Sequence, residues 1–319
     1  MTERGEAWRR CCIEWTAAAR LYHWLYDRGW CRDQRASIPV VSVGGLRMGG
    51  EGKTPMARLV AEHFLQGGVK AAIVSRGYRR QSRGVVVVSL GEGPLVDVKD
   101  CGDEPWMLAV STRAMIVVGA RRHDAVEQAA ALGAQVAILD DGFQHRRLRR
   151  DLDIVLVDRS APAWVLPWGS AREPPSALAR ASLVVDCGAP DLRVDREVGA
   201  MTRFDGWRGL DGRTVEPPRS AVLVSAIARA ERFETTVVDQ GTAALAHFAF
   251  RDHRWLNRAD IARAEQKCSR LGAEGLVTTA KDAARWPSGG RLPVWVANIR
   301  LEIVRGHRRF DDALKAVGL

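Results

Sequence analysis

VVSVGGLRMGGEGKT, residues 40–54, is an apolar run that leads into a glycine-rich loop ending in Gly-Lys-Thr, and a helical stretch, Pro55–Leu65, follows directly. This order is typical of a phosphate-binding loop, because glycines let backbone N–H groups turn toward an anion and the helix N-terminus adds partial positive charge. Arg47 stands where the strict pattern has its first glycine, so a chance glycine-rich turn is the alternative. The residues predicted to bind nucleotide phosphates are Gly49, Gly50, Gly52, Lys53 and Thr54.

From residue 38 onward, short β-branched runs alternate with helical stretches. Each run is bounded by Gly, Pro or charged residues, which indicates a mostly parallel, doubly wound α/β sheet covered by helices. A further run, Val85–Ser89, predicts an edge strand. The six main predicted strands are Ile38–Val43, Lys70–Val74, Ala114–Val118, Gln135–Leu139, Asp153–Val157 and Leu183–Asp186.

Changes in composition divide the chain into four parts. Residues 36–190 form the predicted core domain with the phosphate-binding loop. Gly, Pro, Arg and Asp dominate the stretch after it, so residues 191–218 are predicted to be a linker. A second, smaller α/β domain is predicted over 219–319, with a last helix that can pack back on the core domain.

Residues 1–35 carry aromatic and other apolar residues at helical spacing, among them Trp8, Trp15, Tyr22 and Leu25, with arginines mostly on the other side. Such a helix suits the headgroup layer of a membrane. A helix packed on the protein's own core is the alternative, and the sequence leaves both open.

The overall composition narrows the class of protein. With 319 residues, 46% of them hydrophobic, the chain has ample material for a core, and it contains no apolar run of the roughly 20 residues that a membrane-spanning helix needs. We expect a cytosolic chain, because no signal-peptide pattern is visible, and reduced cysteines without a metal site. The net charge of +10 favours polyanionic partners, but no basic-aromatic motif supports nucleic acid.

A second motif, AILDDGFQH, contains an apolar strand that ends in Asp140 and Asp141. Carboxylates at this position downstream of a phosphate-binding loop hold Mg²⁺ directly or through water. With Thr54, these two aspartates are the predicted metal ligands, and a simple strand-ending turn is the alternative.

A third motif, GDEP at residues 102–105, precedes a helix, so Asp103 is predicted to be either its N-cap or a base that accepts a substrate proton. Further polar residues follow predicted strands or lie in loops, where ligands bind in open α/β sheets. These candidates for substrate binding are Arg76, Gln144, His145, Arg172 and Glu173.

In chain order, the motifs GGEGKTP, SRGY, GDEP, DDGFQH, REP, DH and TTAKD resemble the tetraacyldisaccharide 4′-kinase family of lipid A biosynthesis. The resemblance covers nearly the whole chain and implies an ATP- and Mg²⁺-dependent kinase on the cytoplasmic face of the inner membrane, peripherally bound to its anionic surface. Its acceptor would be an acylated disaccharide 1-phosphate, with no nucleic acid and no obligate protein partner involved. It also implies that Lys53 neutralises phosphoryl charge, that Asp103 accepts the proton of the 4′-hydroxyl, and that His253 orients Asp103.

The chain departs from the family pattern at Gly45, Glu51, Arg254 and Ala280. A GTPase-type switch or metallocofactor-insertion chaperone is the main alternative, but the chain has no convincing copy of the guanine-reading N-K-x-D motif. A soluble small-molecule kinase or ATP-dependent ligase is a second alternative, which the Trp-rich N-terminus disfavours.

Overall fold

The computed structural model describes residues 21–26, 28–49, 52–158, 165, 169–188, 198–252 and 254–318. The strands are β1 (Val40–Gly45), β2 (Ala71–Ser75), β3 (Val86–Ser89), β4 (Met115–Val118), β5 (Val136–Asp140), β6 (Leu152–Val157), β7 (Leu183–Asp186), β8 (Val198–Gly209), β9 (Ser220–Ser225), β10 (Ala243–Ala249), β11 (Gly275–Thr279) and β12 (Val294–Arg305). The helices after the helical segment at 21–26 are α1 (Lys53–Gln66), α2 (Val98–Cys101), α3 (Asp103–Ser111), α4 (Arg122–Ala131), α5 (Ala230–Asp239), α6 (Arg258–Leu271), α7 (Ala280–Ala283) and α8 (His307–Lys315), with a 3-10 turn at Pro175–Arg180.

All of these strands belong to one sheet, in the order β10-β9-β11-β12-β8-β7-β6-β1-β5-β2-β4-β3. Neighbouring strands pair in parallel except at β12–β8 and β3–β4, where they are antiparallel. The prediction of a mostly parallel α/β fold is therefore confirmed, and β3 lies at the edge. We call the part built on β1–β7 the first lobe, the part built on β9–β11 the second lobe, and the β8–β12 pair the ribbon.

The centre of the first lobe is β1, which lies between β5 and β6 and is buried along its whole length. Continuous apolar runs of this kind are expected where helices cover both faces of a parallel sheet. Helix α1 packs on the sheet through Met56, Val60 and Phe64, which belong to the largest hydrophobic cluster of the first lobe. The phosphate-binding loop therefore connects two elements that are held firmly in the core.

The prediction of a linker over residues 191–218 is wrong for residues 198–209, because they form the strand β8 of the ribbon. Its sequence, VGAMTRFDGWRG, contains three glycines and several charged residues, so its intrinsic β-propensity is low. Antiparallel pairing with β12 along nearly its whole length supplies the backbone hydrogen bonds, and Ala200 and Trp207 are buried. Tertiary pairing, which local sequence does not reveal, makes this stretch a strand.

The ribbon sets the relative direction of the two lobes. β8 begins beside the last residues of β7, with Val185 opposite Val198, and runs on beyond them. β12 returns along β8, and only its first residues lie beside β11, which ends at Thr279 opposite Ala297. The carboxyl ends of the parallel strands in the two lobes therefore point toward each other across the ribbon.

Helix α8 returns to the first lobe. Phe310 and Leu314 are buried in the same cluster as Met56 and Phe64 of α1. The His63 ring lies 3.8 Å from the Asp311 carboxylate, measured between Nδ1 and Oδ1. The last helix therefore belongs to the core that supports the phosphate-binding loop.

The described residues include only the last part of the predicted amphipathic stripe, in the helical segment at 21–26. Trp8 and Trp15 lie outside the described residues. Tyr22 and Leu25 are half-buried, and Tyr26 lies under the Arg146 guanidinium at 5.2 Å. The exposed large side chains of this region are instead Leu21, Trp24 and Trp30. Among the residues described, no helix is both long and apolar enough to cross a lipid bilayer.

Candidate active site

The loop after β1 adopts the backbone conformation that its glycines permit. Gly49 has φ +72° and Gly52 has φ +81°, and both values lie in the left-handed region that glycine favours. Lys53 is the first residue of α1, and no side chain of the described residues caps that helix start. Backbone N–H groups there can instead donate hydrogen bonds to an anion. Gly50, another predicted phosphate ligand, lies outside the described residues.

Lys53 joins the loop to the end of β5. Its ammonium donates a hydrogen bond to the Arg47 carbonyl at 2.9 Å and lies 3.0 Å from Asp141 Oδ1. The side chain is about nine-tenths buried, with a relative exposure of 10%. The lysine is therefore held at the mouth of the loop by a backbone carbonyl of the loop itself and by the carboxylate that follows β5.

Thr54 and Asp140 form the second link between the loop and β5. The threonine hydroxyl donates to Asp140 Oδ2 at 3.0 Å, while Asp140 Oδ1 is buried without a hydrogen-bond partner among the described residues. Burial raises the pKa of Asp140 to about 7, aided by the negative charges of Glu104 and Asp141. A buried carboxylate oxygen and a hydroxyl in a negatively charged setting fit Mg²⁺, which binds through few protein groups plus water and phosphate oxygens.

Asp141 differs from Asp140 because cations surround it. Burial alone would raise its pKa, but the positive charges of Lys53 and Arg172, and the hydrogen bonds they donate, lower it. Arg172 Nη2 donates to Asp141 Oδ2 at 2.9 Å. Asp141 also has φ +56°, a conformation that aspartate tolerates better than most residues. The two adjacent aspartates therefore have distinct electrostatic environments.

Gln144, Arg172 and Glu173 form one hydrogen-bonded group beside this pair. Arg172 Nη1 donates to the Gln144 side-chain oxygen at 3.0 Å, and Gln144 Nε2 donates to Glu173 Oε1 at 3.1 Å. Glu173 also accepts from Arg180 at 2.7 Å and is only 3% exposed. It therefore lies behind Gln144 and Arg172, where it supports them, and away from the open surface.

Arg76 and His145 lie at the same edge of the sheet. Arg76 directly follows β2 and is exposed, whereas His145 is half-buried. Burial lowers the pKa of His145 to about 4, and the positive charges of Arg122, Arg150, Arg147 and Arg76 lower it further. Near neutral pH the imidazole is therefore uncharged in a strongly basic surrounding.

Asp103 is brought next to the second lobe. It is the first residue of α3, whose N-cap position is Gly102, so the N-cap prediction is not met. Asp103 Oδ1 accepts from the Glu104 amide at 3.1 Å, and Asp103 Oδ2 lies 3.3 Å from Arg285 Nη1. Asp103 is only 8% exposed, and it lies where the facing ends of the two lobes meet, a region that we call the cleft.

A second ion pair joins the two lobes beside the pair formed by Asp103 and Arg285. Lys281 Nζ lies 3.6 Å from Glu104 Oε1 and 3.3 Å from Asp252 Oδ1. Asp252 precedes His253, the predicted partner of Asp103, which lies outside the described residues. Asp252 of the DH motif and Lys281 of the TTAKD motif are thus brought to Glu104 of the GDEP motif in the first lobe.

The sequence analysis did not single out two arginines near the candidate site. Arg285 lies against Asp103, and the positive charge of Arg122 helps to lower the pKa of His145. Arg285 follows Asp282 by three residues on one short helical stretch, a spacing that places the two side chains together. Arg122 begins a helix just after β4, at the edge where ligands bind. Both signals are weak in a chain with 48 basic residues, so neither stands out before the fold is known.

Comparison with known proteins identifies relatives along the whole chain. A family profile described as Tetraacyldisaccharide-1-P 4′-kinase matches residues 12–318. A tetraacyldisaccharide 4′-kinase from Anaeromyxobacter dehalogenans (strain 2CP-C) is 36% identical over 335 residues, covering 93% of this chain and 86% of the relative. One from Chlorobium chlorochromatii (strain CaD3) is 34% identical over 349 residues, covering 98% of this chain and 93% of the relative.

A solved structure shows the same fold. LpxK from Aquifex aeolicus in complex with ATP has a TM-score of 0.79 and 24% identity, covering 98% of this chain and 99% of that one. The family profile and the relatives at more than 30% identity agree over nearly the full length. This chain therefore belongs to the tetraacyldisaccharide-1-P 4′-kinase family.

Proposed function

We propose that this protein transfers the γ-phosphoryl group of ATP to the 4′-hydroxyl of a tetraacyldisaccharide 1-phosphate, which yields lipid IVA. The observation that carries the proposal is the double link from the phosphate-binding loop to β5, Lys53 to Asp141 and Thr54 to Asp140. The names of the relatives supply the acceptor. Phosphoryl transfer needs mainly positioning and charge neutralisation, and these are what the site's charged residues can provide.

The phosphates lie in the loop formed by Gly49, Gly50 and Gly52 and at the start of α1. Lys53 exchanges its contact with Asp141 for a contact with the terminal phosphates, where it neutralises negative charge as the transfer proceeds. Thr54 and Asp140 are the residues that would hold Mg²⁺, and the Asp141 carboxylate would accept hydrogen bonds from water bound to the ion. When bound, the ion supplies further charge neutralisation at the phosphate oxygens.

Asp103 accepts the proton of the 4′-hydroxyl. As that proton moves to the carboxylate, the hydroxyl oxygen bonds to the γ-phosphorus and the bond from the γ-phosphorus to the bridging oxygen of ADP breaks. The electron pair of the broken bond stays on the leaving oxygen of ADP, so the step is balanced without another reactant. We infer that His253, which follows Asp252 in the second lobe, orients Asp103 in this step.

The basic residues around the site suit an acceptor that carries its own phosphate. Arg76 is exposed beside the cleft. Arg172 and Lys53 both form an ion pair with Asp141. Guanidinium groups bind phosphate oxygens with charge-assisted, often bidentate hydrogen bonds. We infer that Arg76 and Arg172 meet the 1-phosphate, that Gln144 and uncharged His145 contact the sugar, and that Glu173 holds Gln144 in place.

The region around residues 21–30 provides a membrane contact. Trp30 is 72% exposed, Leu21 56% and Trp24 41%, and the Arg28 guanidinium lies 5.3 Å from the centre of the Trp24 ring. Exposed tryptophan beside arginine suits an anionic lipid headgroup layer. We infer a peripheral association with the cytoplasmic face of the inner membrane, which brings the cleft to an acceptor that stays in the bilayer.

The direct test is ATP-dependent phosphorylation of tetraacyldisaccharide 1-phosphate in detergent micelles, with the product identified by mass and by the position of the new phosphate. We expect transfer to the 4′-position with ATP and Mg²⁺, and none after chelation of the metal. Parallel reactions contain GTP, or a water-soluble amino sugar phosphate as acceptor. Nucleotide hydrolysis without transfer to the lipid would contradict the proposal and favour a switch-type NTPase, and a preference for the soluble acceptor would favour a small-molecule kinase.

A further inference from the structure

A fully buried arginine of the second lobe lies against Asp103. The Arg285 side chain is 1% exposed, and its two terminal nitrogens point to different lobes. Nη1 lies 3.3 Å from Asp103 Oδ2, while Nη2 donates to Asp282 Oδ1 at 2.8 Å and to the Ala226 carbonyl at 3.2 Å. One rigid, planar guanidinium thus connects the candidate base to the interior of the second lobe.

Asp282 anchors the arginine from behind. Its side chain is completely buried, and its Oδ2 accepts from the Ala226 amide at 2.9 Å and from the Thr279 hydroxyl at 2.8 Å. A carboxylate with this many donors has little freedom to move. Because the guanidinium is planar, holding one end at Asp282 also determines where the other end meets Asp103.

The charges of the three groups leave one negative charge on the cluster. Asp282 already neutralises Arg285, so Asp103 gains a fixed guanidinium neighbour at 3.3 Å without losing the charge that a base needs. Asp103 Oδ1 is held by the Glu104 amide and Oδ2 faces Arg285, which restricts rotation of the carboxylate. Control of orientation at this level matters, because small misplacements of a reacting group cost large factors in rate.

We propose that Arg285 is a positioning residue for Asp103 and that it orients the base only while the second lobe is seated on the first. The inference rests on the proposed function, in which Asp103 accepts the proton of the acceptor hydroxyl. Because its side chain is only 1% exposed, Arg285 has almost no surface with which to contact nucleotide or acceptor. Its contribution should therefore appear in kcat, with little change in the KM for ATP.

The experiment is a double-mutant cycle on the full chain, with phosphorylation of the acylated disaccharide as the readout. We expect Arg285→Met to lower kcat roughly 10- to 100-fold with the KM for ATP within about threefold of wild type. Asp103→Ala should lower kcat further. The double variant should be no slower than Asp103→Ala alone, within about threefold, because Arg285 acts only through that carboxylate.

Arg263→Met is the matched control, since Arg263 also pairs at i,i+3 spacing with a buried aspartate, Asp260, but this ion pair lies on α6 and does not include Asp103. It should leave kcat unchanged. Thermal melts accompany every variant, and if Arg285→Met does not fold, Arg285→Lys takes its place, because lysine can still neutralise Asp282 but cannot bridge to Asp103. The same non-additive pattern is then expected.

Multiplicative losses in the double variant, or a folded Arg285 variant with kcat within threefold of wild type, would overturn the positioning role. These outcomes differ from a failure of the proposed function. If wild-type protein does not phosphorylate the disaccharide, or if Asp103→Ala keeps full kcat, the proposed chemistry itself falls and this inference falls with it.

Discussion

At the scale of single residues, Lys53 is the side chain whose role can be tested most directly. We expect Lys53→Ala to lower turnover at least about a hundredfold, because a preorganised positive charge at developing phosphoryl charge is lost in a site shielded from water. Steady-state phosphorylation kinetics measure the effect. The variant should fold, since removing Lys53 leaves Asp141 paired with Arg172.

Arg58→Ala on the same helix is the control for Lys53→Ala. Arg58 pairs with Glu62 at i,i+4 spacing on the partly exposed side of α1, a contact that contributes about 0.5 kcal/mol or less. Its turnover should match the wild type. A folded Lys53→Ala variant that works within threefold of wild type would remove Lys53 from the phosphate site.

His145 predicts a pH dependence of stability. Its pKa is lowered to about 4 in the folded protein, against about 6.5 in an unfolded chain, so the folded state takes up fewer protons between these values. Stability from this group is therefore complete above pH 6.5 and falls as the pH decreases toward 4. We expect His145→Gln to remove about 1 kcal/mol of the stability difference between pH 7.5 and pH 5.5, allowing for solvent screening.

Chemical denaturation of wild type and His145→Gln at the two pH values measures this difference. His307→Gln serves as the control, because His307 is exposed at the start of α8 and should leave the pH dependence of the wild type intact. An identical pH dependence in His145→Gln and wild type would show that the imidazole is not held neutral by its surroundings.

Residues with proposed chemical roles differ in how far the sequence reveals them. Lys53, Thr54, Asp140 and Asp103 stand in short motifs with fixed spacing to a strand or helix, and the structure brings them to one edge of the sheet. Arg285 has no such motif of its own. Its contact with Asp103 depends on how β8 and β12 turn the second lobe, which is information carried by pairing between distant segments.

At the scale of elements, the exposed side chains around residues 21–30 lead us to predict a membrane contact through Trp24 and Trp30. The stripe expected from periodicity alone ran instead through Tyr22 and Leu25. Replacing Trp24 and Trp30 together with Ser should release the protein from anionic liposomes, because apolar burial and headgroup attraction are both reduced. The KM for the lipid acceptor should rise while that for ATP stays the same. Salt should weaken the wild-type binding without abolishing it.

Co-sedimentation with liposomes measures the binding. Trp255→Ser is the matched control, since Trp255 is 45% exposed in the second lobe, and its replacement should leave liposome binding as in wild type. Thermal melts should show little change in either variant, because all three rings are substantially exposed. Undiminished binding by the folded Trp24/Trp30 double variant would place the membrane contact elsewhere.

The strands show which elements local sequence can predict. The buried runs β1, β2 and β4–β7 are β-branched and bounded by turn residues, and each was expected within two residues of its observed position. β8 carries neither signal. Its arginines and glycines are tolerated because pairing with β12 outweighs their low β-propensity, so only knowledge of the partner strand would have predicted it.

At the scale of the whole molecule, α8 couples the end of the chain to the phosphate-binding half. Phe310→Ala should lower the free energy of unfolding by about 3–5 kcal/mol, the usual cost of truncating a buried phenylalanine. Because its cluster includes Met56 and Phe64 of α1, the loss should appear in the first lobe. Hydrogen exchange of the α1 amides, measured under native conditions, should become faster.

Phe233→Ala is the counterpart in the second lobe, where Phe233 is 7% exposed and packs with Trp207 and Val237. It should speed exchange in α5 and its neighbours and affect α1 less. If Phe310→Ala left exchange in α1 unchanged, α8 would be a peripheral addition with no part in the stability of the first lobe.

The return of α8 to the first lobe has a consequence for how the protein is made. The ribosome releases β1, the phosphate-binding loop and α1 early, while Phe310 and Leu314 emerge only after the second lobe and the ribbon. Until then the cluster behind α1 lacks two of its large apolar members, and its surface is open to chaperones or to other nascent chains. The hydrophobic support of the nucleotide site is therefore complete only after α8 is made, although the loop predicted to bind the ATP phosphates is synthesised long before α8.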